Sequence, residues 1–328
     1  MLHAAEQDRD GWVRKWSSKA THSGSGGHCA CREFQTKLWA ARFTFIRRPG
    51  ATVQTRGFHR ERGFRTAMTR IIWTLFIVVL LVAPAGLAQE QPITIRFFGH
   101  AFFLITTSEG TRIAIDPYGQ IGYPLPQDVQ ADVVLVTHEH TDHNNVGLIK
   151  GASRVLRGLA AGAGDWSRTY ERIGGVLIYV VPSFHDNAQG TTLLGTNPLG
   201  LNAIFVIEAS GLRLAHLGDV GQLALTEGQV RAIGAIDILM IPVGDGPFTI
   251  SGPEATRVAA QLRPRVIIPM HYKPAAVPFP LDALRQLLSD EGPFLAGKQN
   301  VRQLGSSTLK ISRAELPATT QIVVMDYR

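Results

Sequence analysis

From about residue 91 onward, short runs of β-branched and aromatic residues alternate with segments of helical spacing. Residues 93–98, 101–106 and 112–116 read as three strands joined by tight turns, one of them at Glu109-Gly110. Residues 132–137, Asp-Val-Val-Leu-Val-Thr, are apolar without alternation, the pattern of a strand covered on both faces. Further strands are expected at 176–181, 203–208, 212–217, 236–241, 266–270 and 321–325. Thr226 with Gln229 forms a capping-box pattern before 230–233, and Ser251-Gly252-Pro253-Glu254 forms another before 255–262. Leu281, Leu284, Leu287 and Leu288 predict a third helix over 281–288. A meander of strands followed by mixed strand–helix units predicts two sheets packed together with helices outside. That is an α+β four-layer αβ/βα sandwich, in one domain over 91–328.

The N-terminal part reads differently. Met68-Thr69-Arg70, an apolar run over 71–82 and the exit Ala83-Pro84-Ala85-Gly86-Leu87-Ala88 have the three parts of a secretory signal peptide over 68–88. Export to the periplasm or medium is then expected, with cleavage after Ala85 or Ala88. The run falls short of the ~20 apolar residues of a membrane span. An uncleaved anchor is the alternative, and this segment is where any membrane contact is expected. Residues 1–67 are rich in Gly, Ser and Arg without periodicity. They read as a disordered basic extension, or as residues upstream of a true start at Met68.

Charge follows the same division. Residues 1–67 hold 13 Lys/Arg against 5 Asp/Glu, whereas 68–328 hold 20 against 21, so the body offers no basic surface for nucleic acid. Both cysteines, Cys29 and Cys31, lie in the extension, and Cys-x-Cys beside His28 lacks the four-ligand spacing of a zinc site. Disulfides, thiolate ligands and Cys catalysis are thereby removed from the body.

The body's chemistry is concentrated in Thr137-His138-Glu139-His140-Thr141-Asp142-His143, directly after the doubly covered strand. Two imidazoles at i and i+2 of extended chain can converge on one ion. Asp142 and His143, a short turn later, can face a second. This mixture of imidazole and carboxylate suits zinc, and also manganese or iron.

The segment resembles the signature of the metallo-β-lactamase superfamily, and later residues fall in that family's order. His185 follows the strand at 176–181, Asp219 the strand at 212–217, and His271 the strand at 266–270. The resemblance covers roughly 93–275. It implies His138, His140 and His185 on one metal ion, Asp142, His143 and His271 on a second, and Asp219 bridging them. Asp142 and Asp219 would be the carboxylates at the reacting centre. Two divalent ions, zinc by preference, would then supply hydroxide at neutral pH for hydrolysis of a small molecule. Phe98-Gly99-His100-Ala101-Phe102, Ile115-Asp116-Pro117 and Ile241-Pro242-Val243-Gly244-Asp245 resemble a branch related to ascorbate-6-phosphate lactonase. A lactone or phosphate ester is the substrate this implies. Asp116 is similar to that family's carboxylate behind the ligands; the other reading is a turn-forming Asp-Pro. His100, His216 and Asp245 are candidates for supporting the ligands or touching substrate, and 118–128 and 186–201 for shaping the pocket. A non-catalytic metal- or ligand-binding protein retaining the fold is the alternative function.

Overall fold

The computed structural model describes residues 91–274 and 281–327. The expected extension over 1–67, the leader over 68–88 and the Cys29/Cys31 pair lie outside the described residues. Among the described residues, no helix is long and apolar enough to cross a membrane.

Two mixed sheets are stacked face to face. The first holds β1 (Ile93–Gly99), β2 (Phe102–Thr106), β3 (Arg112–Ile115), β4 (Val133–Val136), β5 (Arg154–Arg157) and β15 (Thr308–Ile311), in the order β15-β1-β2-β3-β4-β5. The second holds β6 (Tyr170–Ile173), β7 (Val176–Phe184), β10 (Leu201–Ala209), β11 (Leu212–His216), β12 (Ile238–Pro242), β13 (Val266–Met270), β14 (Val301–Gln303) and β16 (Gln321–Val324). Its order is β14-β16-β13-β12-β11-β10-β7-β6. A small hairpin, β8 (Leu193–Leu194) with β9 (Asn197–Pro198), stands apart.

Alternation assigns the faces. Ile93, Ile95 and Phe97 of β1 meet Phe205 and Ile207 of β10 in the core between the sheets. Ile204 and Val206 point the other way, beneath α1 (Glu227–Ile233), α2 (Gly252–Leu262) and α3 (Gly292–Leu295). Burying each such side chain contributes about 1.5–3 kcal/mol. Exposed pairs such as Arg154–Glu171 contribute ~0–1 kcal/mol, so the apolar faces and not the surface ions fix the stacking. Both expected helix starts form. The Thr226 hydroxyl accepts from Gln229 N and the Gln229 side chain accepts from Thr226 N, while Glu254 accepts from Ser251 N.

The sandwich is the expected one, with differences at its margins. Residues 281–288 make a 3₁₀ turn at Arg285–Leu287, not a helix. Asp282 Oδ1 accepts from Arg285 N at 2.9 Å and closes the chain into that turn, and of the four leucines only Leu281 and Leu288 are buried. On the outer face of the first sheet the cover is Tyr118, Ile121, Tyr123 and Ile149, from irregular chain and a 3₁₀ turn. Strands β5, β6, β14 and β15 were not legible in the pattern. β5 and β6 are exposed at every second residue or more, as edge strands are, and β14 is exposed at two of its three positions.

Each of β1, β3, β4, β7, β11 and β13 runs out at the same edge of the sandwich. The residues just past their ends make mutual contact there.

Candidate metal centre

The loop after β4 is built around Asp116, which follows β3. One Asp116 oxygen accepts from Thr137 N at 2.8 Å; the other accepts from the Thr137 hydroxyl at 2.7 Å and lies 2.9 Å from His143 Nδ1. His143 Nδ1–H therefore points at a fully buried carboxylate, which turns Nε2 toward the centre. The Thr137 hydroxyl also lies 3.0 Å from His138 Nδ1, so a second ligand ring is tied to the same carboxylate. Asp116 thus lies behind the His143 ring, where the resemblance implied a supporting carboxylate. Thr137 was not singled out from sequence, although it adjoins the motif.

Asp219, after β11, occupies the middle. Its Oδ2 lies 3.1 Å from His143 Nε2, 3.2 Å from His271 Nε2, 3.3 Å from His185 Nε2 and 3.8 Å from His138 Nε2. Its backbone N donates to Asn202 Oδ1, and Asn202 in turn donates to Ser183 Oγ and Leu217 O. Three sets of ligand atoms fall within 4.8 Å of one another: His138, His140 and His185; His100, Asp142, His143 and His271; and His138, His143 and Asp219. All seven expected ligands are brought together, and His100 joins them with Nε2 3.1 Å from Asp142 Oδ2.

The donor chemistry fits metal ions. His143 Nε2, both ring nitrogens of His185 and of His271, and Asp219 Oδ1 are buried without a hydrogen-bond partner. One such orphan costs ~1–3 kcal/mol; each neutral ring offers one lone pair, and the Nε2 atoms of His143, His185 and His271 that face Asp219 are a donor set a cation would satisfy once His143 gives up its proton. Unusual backbone is found here too. His100, Asp116 and His271 all have φ between +50° and +53°, a left-handed conformation that side chains avoid except where the surroundings impose it.

Electrostatics give the site a definite proton. Burial pulls His143 down, but Asp219 and Asp116 on either side outweigh it and hold the ring up at about 10. Burial would raise Asp219, yet His143 and His271 keep it well below the usual carboxylate range. His140 falls to about 4, from burial and then from His185; His138 and His100 also lie well below the ordinary imidazole value, chiefly through burial. A ligand nitrogen must be free of its proton. His143 holds one up to about pH 10, so metal uptake at neutral pH is expected to release it, and apparent affinity is expected to rise by roughly tenfold per pH unit. Calorimetric zinc titration in buffers of different ionisation enthalpy measures this release; a heat independent of buffer would contradict it.

Two glycines admit the ligand loops. A Cβ on Gly244 would lie 2.1 Å from His271 O, and one on Gly221 2.3 Å from His185 O. Gly244→Ala is therefore expected to shift the His271 backbone and weaken metal retention by tenfold or more. Dialysis against a chelator of known affinity reads this directly, with the exposed Gly164→Ala as control.

Other candidates are placed differently. His216 lies with Nε2 3.0 Å from Ala101 O, and its Nδ1 accepts from Gly218 N, so it braces two strand ends. Asp245 is exposed on the turn after β12 and is absent from the cavity wall. A cavity of about 350 Å³ opens over the cluster, with His140, Asp142, His185 and Asp219 on one side and Leu194, Phe248 and Leu284 on the other. Segment 186–201 supplies part of that wall, as expected. Segment 118–128 does not, because Tyr118, Ile121 and Tyr123 are buried against the first sheet. Arg285 completes the wall. Sequence reading missed it, since an arginine among leucines at helical spacing looks like the polar side of a helix.

Stacked mixed sheets with a His/Asp cluster at one edge define the class of metal-dependent hydrolases with the metallo-β-lactamase fold. The family model for the β-lactamase superfamily domain matches residues 94–271. A UPF0173 metal-dependent hydrolase of Thermococcus kodakarensis is 33% identical over 201 residues, covering 55% of this chain and 84% of that one. One from Thermus thermophilus is 32% identical over 199 residues, with coverage of 55% and 84%. A crystal structure from Thermotoga maritima, assigned as a Zn-dependent hydrolase of the metallo-β-lactamase superfamily, has 35% identity and a TM-score of 0.55. It covers 72% of this chain and 100% of its own. The chain belongs to the β-lactamase superfamily, among its metal-dependent hydrolases.

Proposed function

We propose that the protein holds two divalent ions, zinc by preference, and hydrolyses a lactone or a phosphate ester. His138, His140 and His185 would hold one ion, Asp142, His143 and His271 the other, with Asp219 between them. When bound, such a pair supplies a water acidified to near neutral pH and Lewis acidity for the substrate oxygen. The observation that carries this reading is the convergence of orphaned ring nitrogens on Asp219.

The chain's own groups divide the remaining work. Asp116 and Thr137 hold the His143 and His138 rings in one tautomer. Asp142 borders the cavity and can accept a proton from water at a carboxylate oxygen. Of the described side chains that line the cavity, only Thr141 carries a hydroxyl and none is Ser or Cys, which favours attack by water over a covalent intermediate. The likeness of the segments at 98–102, 115–117 and 241–245 to the ascorbate-6-phosphate lactonase branch supports the substrate class. Export rests on 68–88 alone; a mature N-terminus near Gln89 would support it.

The test is a panel of lactones, phosphomonoesters and phosphodiesters, run on the full chain loaded with zinc, manganese or iron. Turnover of a lactone or phosphate ester that a chelator abolishes and added metal restores is expected. Two tightly held ions with no turnover on any of them would favour the binding protein instead.

A further inference from the structure

Arg285 is the one Lys or Arg among the described residues lining the cavity. Its side chain is only 11% exposed, and its Nη2 contacts Asp142 Oδ2, on the carboxylate expected to bind metal. Asp282 holds it in place from behind, with Nη1 3.4 Å from one Asp282 oxygen and the Arg285 backbone N 2.9 Å from the other. The guanidinium also lies 5.8 Å over the Phe248 ring. A guanidinium keeps its charge at neutral pH, so the cavity wall carries a fixed cation here.

We propose that Arg285 is the anion-binding residue of this cavity, recognising a carboxylate or phosphate group on the substrate. Asp142 Oδ2 cannot serve a metal ion and the guanidinium fully at once, so the two cations compete for it. Once Asp142 is committed to metal, Arg285 is a buried cation short of its main partner, which is strongly unfavourable. Asp282 keeps it at the cavity wall. Its five N–H donors exceed the contacts Asp282 can take up, and their planar fork matches the two oxygens of a carboxylate or phosphate. Leu194, Phe248 and Leu284 add an apolar stretch to a wall that also holds Glu139 and Asn197, which suits a substrate with an apolar portion beside its anion. The substrate class is thus an anionic molecule with an apolar portion. This assignment rests on the two-metal reading above.

Calorimetry on the full chain tests it with inorganic phosphate in one arm and butyrate in the other, which separates the two anion classes. Zinc content is measured on every sample. Arg285→Gln is expected to keep its zinc and bind zinc at least as tightly as wild type, because a competing cation is gone. Its affinity for one of the anions should fall by about 10- to 100-fold, with partial recovery in Arg285→Lys. Unchanged affinity for both anions in a zinc-loaded variant would overturn the proposal. So would loss of zinc from Arg285→Gln, which would make the residue structural. Wild-type protein that takes up no zinc would instead sink the metal reading itself. If Arg285→Gln does not fold, Asp282→Asn carries the test, with a smaller loss of anion affinity expected at unchanged zinc content.

Discussion

Asp219→Ala is expected to remove at least one metal ion per chain and to lower kcat/KM by about 10³-fold, since metal ions contribute several kcal/mol to the transition state. Its Oδ2 lies within 3.8 Å of four imidazoles. The carboxylate also sets the charge balance, as one of the two anions that keep His143 protonated. Asp219→Asn separates the two roles. It preserves the shape and the backbone contact to Asn202 while removing the charge, and a loss as large as that of alanine would show that charge is what matters. Steady-state kinetics with excess metal, beside metal analysis after gel filtration, give both readouts. Full activity in Asp219→Ala would exclude a bridging carboxylate.

Asp116→Ala should act one layer further out, and through two effects. It leaves the Thr137 backbone N–H, the Thr137 hydroxyl and the His143 Nδ1–H without their acceptor in a fully buried place. At ~1–3 kcal/mol for each lost buried partner, the fold is expected to lose about 3 kcal/mol or more. The freed His143 ring can then adopt the wrong tautomer, and a fall of 10- to 100-fold in metal affinity is expected. Denaturant unfolding and chelator competition separate the two effects. If Asp116 were only a turn former, stability would drop while metal affinity stayed the same.

Much of this site was legible because its candidate ligands sit immediately after β-strands. His138, His185, Asp219 and His271 each follow an apolar run, so strand ends and ligands could be read together. The strongest signal was His138 to His143, where ligand spacing is local. Arg285 was illegible for the opposite reason. Its role depends on a contact with Asp142 across 143 residues, and its local pattern resembles an amphipathic helix. Leu284 and Leu287 misled in the same way, because periodicity records spacing and cannot show that Asp282 would close a 3₁₀ turn. Strand β15 pairs with β1 from the far end of the chain, a partnership no local pattern encodes. Asp245 matched a segment that resembles the lactonase branch, yet it lies on an exposed turn beside the cavity wall and not in it.

The central claim is the proposal that residues from four strand ends, after β4, β7, β11 and β13, together hold two metal ions. The most direct measurement is the metal content per chain, by elemental mass spectrometry, after zinc loading and removal of free ions. Two equivalents are expected in the wild type, with a clear loss in the His138→Ala, Asp142→Ala double variant. A wild type that retains no zinc, or a double variant with unchanged content, would contradict the account.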